Sequence, residues 1–555
     1  MKKHKHILLI LFVLLAYAFA MNDWDNPYKR PIIGDAKGYY AYLPAAFIYQ
    51  DFSYGFVDAV EQKYYPADGT LGKDFLVDQP NGTKVNKCFP GVSFFYLPFF
   101  LLAYFLSFLF GLPLDGYAPL FQWSIALAHW FYFIWALVLL DKIFLEKGVS
   151  SVNRFIGFAA ATFASNLLFY LVHDFSVAHV FGFFVFAYVI KIALSWNESP
   201  TWRKLGWMAV LMCLAVIMRP TNALFILVLP LLIDWSKILQ FAKQKIKFNE
   251  LPWLQVLISQ TTLSIPLILW KIQTDYWFVY SYGDERLNFT SPHLFQFLFS
   301  VQKGWWFWSP IMLLFTICSS IYFWKIKKWQ GIYFGFMILF VAYVFSCWWM
   351  WTFGGGLGQR PMIDFYPILL FGFVGFLHHF PKFRWFSLVL IPLVVLNTVQ
   401  AFQIDKYILV GGQTTWVDYK NHFLQIKRDA PIVKVDATWT EVNRIKIENA
   451  SELNPNTSFS SSLLIDSLPE NAKLVLRTKV GGVHESPNLA LIVSNDDASF
   501  YHAQYVGNYL YRKPRLMEFL FQVPAAISTP LKVYLWNHDS GERAMVEWIE
   551  VVVYE

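Results

Sequence analysis

Apolar residues along this chain come in long blocks that polar and charged residues separate. The blocks cover roughly 7–21, 91–110, 117–140, 155–172, 175–195, 206–218, 221–235, 254–272, 305–324, 331–351, 363–379 and 385–401. Several approach the roughly 20 residues with which an α-helix crosses a hydrocarbon core. The pattern therefore predicts a polytopic α-helical membrane protein.

The pattern changes after about residue 430, where short stretches alternate apolar and polar residues. Candidate strands lie at 474–480, 489–493 and 531–535. In the first, the even positions from Leu474 to Val480 would share one face, and Arg477 and Lys479 the other. Such stretches are typical of an antiparallel sandwich. We therefore expect a transmembrane domain at 1–401, a linker at 402–429 and a C-terminal all-β sandwich domain at 430–555.

The amino-acid composition also indicates a membrane protein and argues against nucleic-acid binding, a disulfide framework and a metal site built from cysteines. Only 15% of the 555 residues are charged, against about 25% in soluble proteins. The net charge of +7 comes with lysines between the apolar blocks, which indicates loop topology and not nucleic-acid binding. The four cysteines, Cys88, Cys213, Cys318 and Cys347, give neither a disulfide framework nor a metal-ligand spacing.

The distribution of lysine and arginine predicts the orientation, because cytoplasmic loops carry the excess of both. If block 91–110 lies along the outer interface and does not cross, five consecutive basic loops fall on the cytoplasmic side. Their residues are Lys142, Lys147 and Arg154; Arg203 and Lys204; Lys237, Lys243, Lys245 and Lys247; Lys325, Lys327 and Lys328; and Lys382 and Arg384. We therefore predict about eleven transmembrane helices, a cytoplasmic N-terminus and an extracytoplasmic C-terminal domain.

The first twenty residues allow two interpretations. A basic start, an apolar run and Ala18-Phe19-Ala20 fit a cleavable signal peptide. A retained first span fits equally well in composition, and we favour it because a chain with many later spans needs no separate export signal. Either way the segment that follows lies outside the cytoplasm.

Three segments of the predicted outer side carry candidate binding or catalytic groups. Asp35, within Gly34–Pro44, could be a general base, or a helix cap. Lys87, within Lys87-Cys88-Phe89-Pro90-Gly91, adds a cation, or is a solvated lysine. Arg219, at the Pro220 turn between two short apolar blocks, could bind a phosphate or snorkel to lipid headgroups.

Two further segments join them. His173, Asp174 and His179 could ligate a metal, orient a base, or simply cap a helix. The glycine-rich run from Gly354 to Gly358 leads to Arg360, with Asp364 after it. Glycines let backbone amides approach a phosphate, although a flexible interhelical turn is the alternative. All these groups map to one side of the membrane, which predicts a site for an anionic, lipid-linked substrate.

The order of these motifs resembles that of the GT-C class of polytopic glycosyltransferases, especially the bacterial protein mannosyltransferases and the aminoarabinose transferases of lipid A. The resemblance covers roughly residues 1–400 and rests on four motifs. They are Gly34-Asp35-Ala36-Lys37-Gly38-Tyr39-Tyr40, Lys87-Cys88-Phe89-Pro90-Gly91-Val92, Met218-Arg219-Pro220-Thr221-Asn222 and the segment from Gly354 to Arg360. Many relatives carry two adjacent acids where this chain has Asp35 followed by Ala36.

The resemblance implies an inverting sugar transfer from a polyprenyl-phosphate carrier to a glycan, lipid or protein acceptor at the outer face of a bacterial inner (cytoplasmic) membrane. Asp35 would be the catalytic base, and Arg219 and Arg360, with Lys87, would hold the carrier phosphate. His173, Asp174 and His179 would line the same cavity, where a divalent cation could also bind. The expected partners are the lipid-linked donor, the acceptor and membrane lipids, and no nucleic acid.

Two other functions remain open on the sequence alone. A transporter or flippase of lipid-linked glycans would carry charged residues through its span centres and show internal symmetry. A non-catalytic envelope assembly protein would use its tail to bind a polymer or a partner.

Overall fold

The computed structural model describes most of the chain in two compact units. The described residues are 4–21, 31–65, 73–242, 251–382, 386–406, 408–426, 433, 435, 438–453, 458–469, 472–482, 489–495, 500–506, 515–523, 530–537 and 544–555. One unit is formed by residues 1–64 and 71–401, and the other by residues 65–70 and 402–555.

The first unit is helical apart from a two-stranded hairpin. Its helices are α1 (Lys5–Met21), α2 (Asp35–Pro44), α3 (Val57–Tyr64), α4 (Gly91–Leu109), α5 (Pro119–Glu146), α6 (Ser151–Phe163), α7 (Leu167–Val172), α8 (His179–Glu198), α9 (Trp202–Met218), α10 (Leu229–Leu232), α11 (Trp235–Ala242), α12 (Trp253–Thr274), α13 (Leu294–Phe299), α14 (Trp305–Trp308), α15 (Pro310–Ile326), α16 (Lys328–Ser346), α17 (Tyr366–His379) and α18 (Phe386–Asp405), the last of which runs into the second unit. The hairpin pairs β1 (Leu76–Asp78) with β2 (Lys84–Asn86).

Among the described residues, seven helical segments are long and apolar enough to cross a membrane. They are Gly91–Leu109, Pro119–Glu146, His179–Glu198, Trp253–Thr274, Lys328–Ser346, Arg360–His379 and Leu388–Asp405. A pair of helices bent by 91°, Pro220–Leu232 and Trp235–Phe241, would make an eighth. Lys5–Met21 and Pro310–Ile326 are shorter apolar helices. These helices indicate a multi-pass membrane protein.

Helix α17 lies at the centre of the bundle, with every residue from Tyr366 to Leu377 buried. Two glycines let α15 approach it closely. A Cβ atom at Gly372 would lie 2.4 Å from Ser319, and one at Gly375 would lie 2.5 Å from the Tyr322 ring. Small residues at such crossings are the usual means of close packing between membrane helices.

Polar contacts fix which helix ends lie on the same side of the bundle. His4 and His6, at the start of α1, lie 2.5 and 2.9 Å from the carboxylate of Asp141 near the end of α5. Arg154, early in α6, donates to the same carboxylate at 2.5 Å. At the other end of α1, the hydroxyl of Tyr17 lies 3.2 Å from Nε2 of His173.

Helix α9 ends where proline predicts it. Arg219 has extended backbone angles (φ −155°, ψ 124°) immediately before Pro220. The chain continues as a 3₁₀ helix, Pro220–Val228, into α10, and then bends sharply into α11.

The second unit contains α19 (Trp416–Asn421) and two four-stranded antiparallel sheets. The strands are β3 (Glu441–Leu453), β4 (Leu463–Ile465), β5 (Lys473–Gly482), β6 (Leu489–Asn495), β7 (Tyr501–Tyr505), β8 (Arg515–Gln522), β9 (Leu531–Asn537) and β10 (Ala544–Tyr554). The strand orders are β3-β10-β5-β8 and β4-β9-β6-β7. One cluster of buried apolar side chains draws on both sheets.

The strands predicted at 474–480, 489–493 and 531–535 are confirmed as parts of β5, β6 and β9. The face predicted for the first strand is also confirmed, because Leu474, Leu476, Thr478 and Val480 are all buried. The segment 489–493 is apolar throughout and is buried on both faces. The predicted linker, 402–429, holds the end of α18 and, within its described residues, α19. There Gln403 donates to the carbonyls of His422 and Gln425.

Removing the Asp141 carboxylate should destabilise the bundle strongly. Asp141→Ala leaves the buried guanidinium of Arg154 without its partner, a change that costs about 3–5 kcal/mol for a buried pair. Glu146→Ala is the matched control, because Glu146 pairs with Lys191 at a half-exposed position and should cost at most about 1 kcal/mol. Thermal unfolding of the purified chain in detergent measures both. Equal melting temperatures for the two variants would contradict the assignment.

Candidate functional site

A cavity of about 530 Å³ in the helical unit collects most of the predicted site residues. Its lining residues are Asp35, Tyr39, Lys87, Cys88, Arg219, Pro220, Thr221, Tyr280, Tyr282, Glu285, Leu287, Phe345, Trp348, Trp349, Met350, Phe353, Gly354 and Arg360. The three cations among them outnumber the two carboxylates, so the lining carries an excess of positive charge.

Asp35 opens helix α2 and forms an ion pair. Its Oδ2 accepts from Nη2 of Arg360 at 2.8 Å, while 42% of its side chain stays exposed. Gly34 is the N-cap residue and no side chain caps the helix. The Asp35 carboxylate is therefore bound to Arg360 at the cavity wall and does not act as the predicted alternative, a helix cap.

Lys87 reaches the cavity from the end of the β1–β2 hairpin. Its backbone N–H donates to the carbonyl of Phe75 at 2.8 Å, and its ammonium lies 3.2 Å from Glu285. The next residue packs on α2, where a Cβ atom at Gly38 would lie 2.5 Å from Sγ of Cys88. Glycine at this position therefore lets the hairpin carry Lys87 close to Asp35.

Arg219 enters from the break at the end of α9. Its Nη1 lies 2.6 Å from Nε2 and 3.2 Å from Nδ1 of the buried His179. Nδ1 of His179 in turn lies 3.1 Å from Oδ2 of Asp364. Arg219 is half-buried and contacts the side chain of His179. This contact argues against the alternative, in which the side chain of Arg219 would snorkel to the lipid headgroups.

The glycine-rich segment is a fixed loop and not a flexible turn. Lys303, which is fully buried, donates through Nζ to the carbonyls of Gly354 at 3.1 Å, Gly355, and Gly356 at 2.5 Å. Gly356 has φ +84°, and a Cβ there would lie 2.7 Å from the hydroxyl of Tyr170. The loop therefore delivers Arg360 to the cavity in a defined position.

Aromatic rings form the rim of the cavity. Tyr280 and Trp349 are 59% and 51% exposed, whereas Tyr282 is half-buried between Phe89 and Trp348, with ring centroids 6.2 and 5.7 Å away. Flat apolar faces of this kind suit the C–H surface of a sugar ring or of an isoprenoid chain.

Burial decides which groups beside Asp35 can carry charge. It raises the pKa of the Cys88 thiol well above its usual range, and the nearby Asp35 carboxylate adds to the effect. Burial likewise raises the pKa of Tyr39. Burial alone would lower the pKa of Lys87, but Glu285 outweighs it and the net shift is upward. The thiol and the phenol are therefore neutral at pH 7, and Asp35 and Glu285 supply the cavity's negative charge.

The three histidine and aspartate candidates lie behind or beside the cavity, and none is among the described residues that line it. His173 contacts Tyr17. Oδ1 of Asp174 accepts from the backbone N–H and hydroxyl of Ser176 at 2.9 and 2.5 Å, which is a local turn. His179 does not line the cavity, but it contacts Arg219, which does. No group of three or more potential metal ligands occurs in the described part of the chain.

Two charged residues of the site escaped the sequence analysis: Glu285, which lines the cavity, and Lys303, which holds the glycine loop. Glu285 lies in a polar stretch after α12 where nothing in its neighbours distinguishes it from a solvated acid. Lys303 precedes Gly304 and a run of tryptophans. A lysine in such a position is typical of an anchor at the membrane–water interface. Both reach the site through contacts with segments distant in sequence, which no local pattern records.

The chain gives no match in any of three comparisons, with protein-family models, with curated proteins and with solved structures.

Removing the Lys303 ammonium should loosen the glycine loop. Lys303→Met leaves three carbonyls without their donor, and losing a hydrogen bond to a charged group costs about 1.5–3 kcal/mol. We expect a lower melting temperature and faster proteolytic cleavage at 354–358. Lys271→Met is the control, because Lys271 forms an exposed pair with Asp275 on α12. Cleavage of the loop at the wild-type rate in Lys303→Met would contradict the role given to this lysine.

Proposed function

We propose that this chain is an integral membrane glycosyltransferase of the GT-C type. It moves a sugar from a polyprenyl-phosphate carrier to an acceptor hydroxyl on the extracytoplasmic side of a bacterial inner membrane. The observation that carries the proposal is the joining of Asp35, Lys87, Arg219 and Arg360 in one cavity. These four residues come from four separate segments of the chain, so their meeting does not follow from sequence neighbourhood.

The cavity groups suit each part of the transfer. Asp35 takes the proton of the acceptor hydroxyl as its oxygen bonds to the anomeric carbon. The bond between that carbon and the carrier phosphate breaks, the configuration inverts, and polyprenyl phosphate leaves with one more negative charge than it had in the donor. Arg219 and Arg360, with Lys87, stabilise that developing charge.

Binding of the phosphate also frees the base. In the empty cavity Arg360 pairs with Asp35, and a phosphate ester competes with the carboxylate for the same guanidinium. Drawing Arg360 towards the phosphate leaves Asp35 able to accept a proton. The base is thus released only when the donor is in place.

We propose eleven crossings for the helical unit, with α4 outside the count. The crossing segments would be α1, α5, α6 with α7, α8, α9, residues 220–232, α12, α15, α16, α17 and α18. The contact of His4 and His6 with Asp141 places the start of α1 beside the end of α5. Residues 22–118 would then leave and rejoin the bundle on one side. Helices α2 and α3 have only 10 and 8 residues and are too short to cross the membrane. If α4 crossed completely, neither of them could bring the chain back to the side on which α5 begins.

The packing of α1 supports a retained first span, because Ile7, Ile10, Leu14 and Ala18 form a fully buried face. For the C-terminal unit we propose a sandwich of the two sheets around their common apolar cluster, lying outside the cytoplasm.

The side of α4 can be tested with single cysteines. Lys84→Cys and Leu112→Cys flank α4 at exposed positions, and Lys147→Cys follows α5. A membrane-impermeant maleimide should label the first two variants in intact cells and Lys147→Cys only after permeabilisation, with the wild-type chain as baseline. Labelling of Lys84→Cys and Leu112→Cys from opposite sides would contradict the eleven-span topology.

Loss of the base should abolish transfer without unfolding the chain. Asp35→Asn should lower the rate about 10²–10⁴-fold, the usual contribution of general base catalysis. Asp78→Asn is the control, because Asp78 is 80% exposed and pairs only with Lys84 among the described residues. The measurement is mass analysis of lipid-linked sugars and surface glycans in cells that lack the gene and carry each variant.

The outcomes separate the hypotheses. If Asp35→Asn transferred sugar at the wild-type rate and Glu285→Gln did not, the general base would be Glu285 and not Asp35. If wild-type cells consumed no lipid-linked sugar but redistributed it across the membrane, the chain would be a flippase and not a glycosyltransferase. If neither occurred, the non-catalytic assembly role would stand.

A further inference from the structure

Behind the cavity, a buried chain of three side chains ends on Arg219. His179 begins α8 and is 2% exposed, and Asp364, in the 3₁₀ turn Arg360–Phe365, is 1% exposed. Neither lines the cavity. Placing an acid and a histidine inside a membrane bundle is unfavourable unless they act on something.

The distances assign the proton on His179. Arg219 Nη1 is a donor and lies closest to Nε2, at 2.6 Å, so Nε2 must accept. Nδ1 lies 3.1 Å from Oδ2 of Asp364 and 3.2 Å from the same Nη1. Once Nε2 accepts, a neutral imidazole carries its proton on Nδ1, where Asp364 is the available acceptor. With this tautomer a neutral imidazole links the guanidinium of Arg219 to the side chain of Asp364, and no direct ion pair between Arg219 and Asp364 occurs among the described contacts.

The fold leaves space for this chain. A Cβ atom at Gly182, one turn along α8 from His179, would lie 2.1 Å from Oδ1 of Asp364. Glycine thus admits the carboxylate against the helix. The 3₁₀ turn that carries Asp364 begins at Arg360, so the same short segment supplies one arginine to the cavity and holds the other from behind.

We infer that His179 and Asp364 are positioning residues for Arg219, fixing its guanidinium for the anionic group of the carrier. This inference rests on the proposed function. Because His179 takes one N–H of the guanidinium and is itself neutral, the remaining N–H groups have no partner among the described residues and can donate to phosphate. A direct Arg219–Asp364 pair would instead place a carboxylate where the phosphate must bind and would repel it.

The test measures binding of polyprenyl phosphate, with polyprenol as the phosphate-free comparison, to the purified full chain in detergent. His179→Phe keeps the volume but cannot accept from Arg219, and should weaken polyprenyl phosphate binding about tenfold or more. His179→Gln, whose amide oxygen can accept, should restore most of the affinity. In an Arg219→Ala background, His179→Phe should change affinity less than about twofold.

A matched control separates positioning from stability. Asp141→Ala also removes a buried polar partner, far from the cavity, and should lower the melting temperature while polyprenyl phosphate affinity stays at the wild-type value. Equal weakening by Asp141→Ala, or a full effect of His179→Phe in the Arg219→Ala background, would overturn the positioning role. If the wild-type chain binds polyprenol as tightly as polyprenyl phosphate, the proposed function itself fails.

Discussion

The ion pair between Asp35 and Arg360 is the contact on which the site depends. It joins α2, near the start of the chain, to the loop ahead of α17, across 325 positions of sequence. The Arg360 side chain is only 16% exposed, and a largely buried guanidinium without a partner would be costly. Asp35 therefore holds Arg360 in place. The pair also leaves Asp35 partly exposed, which lets a stronger anion compete for the arginine.

The remaining charged groups of the site each have a polar partner. Lys87 pairs with Glu285, and Arg219 contacts His179, which in turn contacts Asp364. Lys303 forms no ion pair with a described residue, and its Nζ donates to three glycine carbonyls. The cavity wall therefore carries three cations and two carboxylates, which suits a ligand that brings one negative charge and leaves with two.

Local pattern predicted the apolar helices, the strands β5, β6 and β9 and four residues of the cavity, because each rests on a short-range rule. Apolar blocks must span or be buried, Pro220 must end α9, and Asp35, Arg219 and Arg360 are costly at a membrane edge without a partner. The partners of these residues could not be predicted from local pattern. Glu285, Lys303 and Asp364 reach their partners only through tertiary contacts. His173 and Asp174 lie beside the cavity, where His173 contacts Tyr17 of α1 and Asp174 accepts from Ser176 in a local turn.

The central claim is that this cavity binds the phosphate of a lipid carrier. The most direct test is an experimental structure of the full chain with polyprenyl phosphate bound. The account predicts phosphate density within hydrogen-bonding distance of Arg219 and Arg360, with Asp35 released from its ion pair. Density for the phosphate at any other place, with the Asp35–Arg360 pair intact, would contradict it.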